Sequence, residues 1–176
     1  MASRISVIGL DTATEEIRAA VLDVGVPNGL AVAGARGEQL VKQNIASAFL
    51  GRPPAVATGT LANSITFQLS REVNFSRALV FAAPPADAYA DYVESGTGPH
   101  FPPPSALLLW VKKKFAVTNE KQALSIAFAI ARKIAKRGVS AFGMFARALA
   151  VLEPELGGII DAQVAQAIAA AGVGKK

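Results

Sequence analysis

The 176-residue chain has no cysteine and a single histidine, His100. The first absence excludes disulfides, a thiol nucleophile and a thiolate metal site. The second excludes a multi-histidine zinc site within one chain. Charged residues are few, 18% against 52% hydrophobic, so the chain is not wholly disordered. No run of about 18 consecutive apolar residues occurs, which argues against a spanning helix. One basic residue and a six-residue uncharged stretch precede Asp11, too short for a secretory signal. The expected setting is the cytoplasm or the inside of an assembly. The length suits one domain, residues 1–176, with a real core.

What charge there is lies unevenly. Residues 1–104 hold 7 Lys/Arg and 9 Asp/Glu, residues 105–137 hold 8 and 1, and residues 138–176 hold 3 and 3. One stretch therefore carries the whole positive excess. It suits solvent, nucleic acid or an acidic partner.

Residues 12–25 read as a short helix opened by a Thr12-x-x-Glu15 capping box, with Ile17, Val21 and Val24 on its apolar face. Pro27-Asn28 interrupts it and opens a second helix to about Leu50, with Val41, Ile45 and Phe49 on one face. Gly34 and Gly37 either weaken that helix or mark a close contact. Gly51-Arg52-Pro53-Pro54 is a breaker. Ser64–Leu69 alternates as a half-buried strand, and Ala78–Ala83 is a second apolar run of strand length. The residues between them make a turn or part of a longer hairpin. Tyr89–Glu94 reads as a third strand, with a helix as the alternative. Residues 95–104 form a Gly/Pro loop, and Ser105 is placed to cap a short helix with Leu108, Val111 and Phe115 on one face. Lys112, Lys113 and Lys114 close it at the negative end of the helix dipole. Asn119 caps a helix over 120–137 whose buried face is Ala123, Ala127, Ile130 and Ile134 and which Gly138 stops. Phe142, Phe145 and Leu149 begin a further helix that Pro154 breaks or restarts, with Leu156, Ile160, Val164 and Ile168 beyond it. The order implies an α+β fold: N-terminal helices, a small mainly antiparallel β-sheet, C-terminal helices.

The densest carboxylate cluster is Asp87, Asp91 and Glu94. On a helix these share a face and suit a metal or acid–base chemistry; on a strand Asp91 and Glu94 point apart. Gly96-Thr97-Gly98 and Thr58-Gly59-Thr60 lack the spacing of a phosphate loop. Lys112–Lys114 together with Arg132, Lys133, Lys136 and Arg137 suit phosphate or subunit contacts, but no aromatics interleave for base stacking. This inventory favours a structural or binding protein, with no catalytic, metal or cofactor residues assigned.

Two segments carry a resemblance. Thr58, Gly59, Leu61, Ser64 and Ile65 form a Thr-Gly-x-Leu-x-x-Ser-Ile element. Tyr89, Ala90, Tyr92, Val93, Glu94, Gly96 and Thr97 form a Tyr-Ala-x-Tyr-Val-Glu-x-Gly-Thr element, followed by a proline-rich loop and Trp110-Val111. In order and spacing over residues 41–150 they resemble the neck or tail-completion family of tailed phages, the gene-product-10-like proteins of Hong Kong 97-type phages. Ala127–Gly138 resembles that family's basic helix, and Phe145, Ala148 and Leu149 its closing element. Ala57, Ala62 and Gly143-Met144 stand where an acidic residue, a basic residue and a proline are usual in the family. The resemblance implies a non-enzymatic virion component, assembled in the host cytoplasm, at the neck or top of the tail. It implies a homo-oligomeric ring, expected to be a hexamer. Its partners would be head-completion or connector proteins, tail terminator or tail tube proteins, and the packaged DNA, with no membrane. The alternatives are a tail terminator and a non-specific nucleic-acid-binding protein.

Overall fold

A computed structural model describes residues 10–47, 59–72 and 75–172, the side chains of 10–13 excepted. Thr58, Phe49 and the 51–54 breaker lie outside the described residues, as does the side chain of Thr12. The fold is α+β and 71% helical, with two small two-stranded sheets where the sequence suggested one.

The N-terminal helices are α1 (Leu10–Ala19), a π-helical turn (Ala20–Gly25) and α2 (Val26–Ala46), which follow one another without a gap. Because α1 begins at Leu10, Thr12 lies inside it and cannot open it. The break expected at Pro27 does not occur, for a local reason. Proline lacks an N–H and its ring crowds the carbonyl four residues earlier, here Asp23. The Val26 N–H reaches back to the Val21 carbonyl, so the turn before Pro27 is wide. The Asp23 carbonyl, left without its helical donor, accepts from Arg71 Nη1 at 3.2 Å. The run Thr14–Ala46 is 33 residues and, by length and composition, long and apolar enough to cross a membrane.

The short helix α3 (Thr60–Ser64) leads into β1 (Ile65–Arg71), which pairs with β2 (Ser76–Ala82) in an antiparallel hairpin. Both strands extend beyond the expected ranges at the hairpin end, and Glu72 N–H donates to the Phe75 carbonyl there. The third expected strand is instead a helix, α4 (Asp87–Ser95). Tyr and Val favour strands, but Ala86 and Ala90, four apart, are the buried positions, which is a helical spacing. β3 (Gly96–Thr97) follows, and pairs antiparallel with β4 (Val139–Ser140).

Next come α5 (Pro104–Phe115) and α6 (Glu120–Arg137). Pro104, not Ser105, opens α5, with Pro103 as the flanking residue; its missing N–H is one that the first turn leaves unbonded anyway. In α6 the Asn119 side chain accepts from Gln122 N–H at 3.1 Å, and Gly138 at φ 67° ends the helix. α7 (Met144–Ala170) runs straight through Pro154, contrary to the expected break. Pro154 and Ala150 are both exposed, so water can satisfy the carbonyl that proline leaves without a donor.

The chain divides into two compact units. The first comprises the described residues up to Gly37, Phe67–Val80 and those from Val151. It is packed through small residues. A Cβ on Gly25 would stand 2.8 Å from Val164 Cα, and one on Gly29 3.0 Å from Ile160 Cα. Gly34 lies under the Phe67 ring, and Gly37 beside Val80 and Leu152. These glycines therefore mark close contacts. The expected face of α1 and the π turn is covered only in part: Val21 is half-buried but Ile17 and Val24 are exposed, while Ala20 is buried.

The second unit comprises Glu38–Thr66 and Phe81–Ala150, without the undescribed residues. It buries larger side chains: Val41, Ile45, Ile65, Val111 and Met144 are essentially inaccessible. Val111, Ala123 and Ala127 centre the α5–α6 hairpin, with Leu107, Leu108, Ile126 and Ile130 against them. Two residues assigned to apolar faces, Phe115 and Leu149, are exposed.

Candidate assembly surface

The Tyr-Ala-x-Tyr-Val-Glu-x-Gly-Thr element is α4 together with β3, and it is joined to the start of α7. Gly143 precedes α7 and has no side chain with which to cap it. Glu94 supplies the missing acceptor from 51 residues away: Oε2 accepts from Phe145 N–H and Oε1 from Ala146 N–H, each at 2.9 Å. These are amides that an ordinary N-cap side chain would take, and a carboxylate there also meets the positive end of the helix dipole. The backbone continues the join. The Val93 carbonyl accepts from Phe142 N–H, and the Glu94 carbonyl from Gly143 N–H.

Gly96 pairs with Ser140 and Thr97 with Val139. Gly96 is at φ 74°, and a Cβ there would run into the Val139 carbonyl; one on Gly138 would run into the Thr97 carbonyl. Arg147 closes the end of the join. It donates to the Gly143 carbonyl at 3.1 Å and to the Asn44 carbonyl at 3.2 Å, and lies over the Phe142 ring. Burial lowers the Arg147 pKa, partly offset by the Glu94 charge. Asn44 Nδ2 donates to the Met144 carbonyl at 2.9 Å.

The rest of the element divides between core and surface. Tyr89 is at the margin of exposure, and burial raises its phenol pKa; Tyr92 is 62% exposed. In the first element Leu61 and Ser64 are buried in α3, and the Ser64 carbonyl accepts from Ala83 N–H. Gly59, at φ 78°, flanks the start of α3 rather than a strand end. His100 donates from Nδ1 to the Gly98 carbonyl at 2.9 Å, on an exposed loop.

The helical form of α4 brings Asp87, Asp91 and Glu94 onto neighbouring positions, the arrangement expected for a metal. Yet Glu94 is turned to the α7 amides while Asp87 and Asp91 are exposed. Among the described residues no group of three or more His, Cys, Asp or Glu is placed to hold a metal ion.

The basic residues fall into two groups. Lys112, Lys113 and Lys114 sit at the end of α5, where Lys112 pairs with Glu120 at 3.7 Å. Arg132, Lys133, Lys136 and Arg137 sit at the far end of α6. At 1.5 Å per residue, Glu120 and Lys136 are ~24 Å apart along the helix. The two groups are thus at opposite ends of one hairpin and do not form a single patch.

The α5–α6 hairpin also leaves several large apolar side chains exposed. Leu109 is 62% exposed, with Trp110, Phe115, Leu124 and Phe128 also exposed. Trp110 and Phe115 meet edge to face, centroids 5.8 Å apart. The signal for the α6 pair was in the sequence: Leu124 and Phe128 fall outside the alanine face at 123, 127 and 131. No known protein family, curated protein or solved structure matches the chain.

Proposed function

We propose that the chain is a structural subunit of a tailed-phage virion, a neck or tail-completion component. It forms a ring at the head–tail junction and joins the tail to the head. It works by surface complementarity, without turnover. The observation that carries the reading is the number of large apolar side chains left exposed on α5 and α6, among them the Trp110–Phe115 pair. Such side chains on a folded subunit favour a binding surface. The resemblance of the 58–65 and 89–97 elements to the phage family supplies the setting. The hydrogen bonds of Glu94 and the tight turns at Gly96 and Gly138 give several of those residues a structural task, in keeping with a shared architecture.

The test is negative-stain imaging of particles from a phage deleted for the gene. Full heads and normal-length tails lying apart are expected. Overlong tails would assign it to tail termination instead, and normal infectious particles would overturn the virion reading. A second reading, non-specific nucleic-acid binding, draws on Lys112–Lys114 and Arg132–Arg137. It requires an affinity that falls steeply with salt, whereas association through an apolar surface changes little.

A further inference from the structure

We infer that the outer stripe of α6 receives α4 of a second copy of this chain, with the two helices antiparallel. The inference rests on the assembly reading above and names the contact. Phe128, Arg132 and Lys136 recur every four residues on α6, outside the buried alanine face, and all three are exposed. Ser125, Phe128, Ala129 and Arg132 line an open hollow of about 360 Å³. On α4, Asp87 and Asp91 recur at the same step, with Tyr92 beside them, and all three are exposed. Among the described residues neither Asp91 nor Arg132 makes an ion pair within the chain.

The two faces are complementary in one register. Running the helices antiparallel sets Asp87 against Lys136 and Asp91 against Arg132. Tyr92, one residue beyond Asp91, then stands beside the level of Arg132, where a cation–π contact is available. Four-residue steps on both helices rise ~6 Å, so the two charge pairs match in spacing. The positive end of α4 meets the negative end of α6, which also favours this direction. The two patches differ, so the contact is heterologous, the type of contact from which rings are built.

The test uses the full chain in sedimentation velocity over a wide range of protein concentration. The wild type is expected to self-associate. Arg132→Glu and Asp91→Lys each set like charges opposite one another and are expected to weaken association about tenfold or more. The double variant Arg132→Glu/Asp91→Lys restores the pair with reversed sign and recovers association. Circular dichroism checks that each variant keeps its helix content. A wild type that stays monomeric, single variants that associate normally, or a double variant that fails to recover would each overturn the inference. Charge-swap recovery alongside normal particles from the deleted phage would instead remove the virion role and leave the contact standing.

Discussion

The two units bury different kinds of residue. The first brings backbones together: Ala20, Gly25, Gly29, Ala33, Gly34 and Gly37 are its buried positions along the N-terminal helices. The second buries Val, Ile and Met side chains and adds a polar join, in which Glu94 caps α7 and β3 pairs with β4. Small residues remove little apolar surface each, so close approach must be gained along a whole helix face. Large side chains act at single points, and the polar join fixes direction there. The first unit is therefore sensitive to added volume, and the second to lost geometry.

The largest expected effect tests the second half of that contrast. Gly96→Ala adds a Cβ at φ 74° directly against the Val139 carbonyl. Backbone conformation and clash together are expected to cost about 3 kcal/mol or more, read as a fall in the urea midpoint. Gly25→Ala tests the first half. The Val164 backbone stands in the way, and a loss of about 1–3 kcal/mol is expected. Gly158→Ala is its control, since nothing lies within 4 Å and the residue is inside α7. Helix propensity alone should then stabilise by about 0.5–1 kcal/mol. Equal effects of Gly25→Ala and Gly158→Ala would remove the claim that close backbone contact packs the first unit.

Glu94→Ala leaves the first amides of α7 without an acceptor and should cost about 1–2 kcal/mol. Hydrogen exchange should rise first at Phe145 and Ala146. The smallest effect belongs to Arg36–Glu155, a partly exposed ion pair at 3.0 Å within the first unit. The hydrogen bond from Arg36 lowers the Glu155 pKa from its ordinary 4.5. A carboxylate so depressed stabilises the fold above about pH 4.5 and ceases to do so as pH falls through its folded value. Glu155→Gln should thus lower the melting temperature slightly at pH 7, and the difference should vanish in acid.

How much of this was legible depends on how local the cause is. α6 was readable to the residue, because Asn119 and Gly138 mark its ends within its own sequence. The hairpin strands were readable within a few residues, the first from alternation and the second as an apolar run of strand length. α4 was misread because Tyr89, Tyr92 and Val93 have strand preferences that burial of Ala86 and Ala90 overrides. Pro27 and Pro154 were read as breaks because the rule for proline is local. The relief in each case comes from elsewhere: a wide turn and Arg71 for the first, exposure for the second. The basic residues were legible as a group, but not their separation along a helical hairpin. That Glu94 could cap backbone N–H groups was legible from its place beside the Gly96 turn; which amides it caps was not, since they lie 51 and 52 residues away. Exposure of Leu109 and Trp110 was hidden, because periodicity finds an apolar face without saying whether anything covers it.

The wide turn at Ala20–Gly25 has a consequence for the gene. Its five-residue bonds hold one residue more than an α-helical path would need. A single-codon deletion there would not sever the helix; it would let the turn close as ordinary α-helix. An α-helical path covers nearly the same rise and rotation with one residue fewer, so the residues on both sides would keep their faces. The same deletion within regular α-helix would swing everything before it by about 100° and draw it in by about 1.5 Å. This one place therefore tolerates a change of length that would turn the N-terminal face if it fell a few residues to either side.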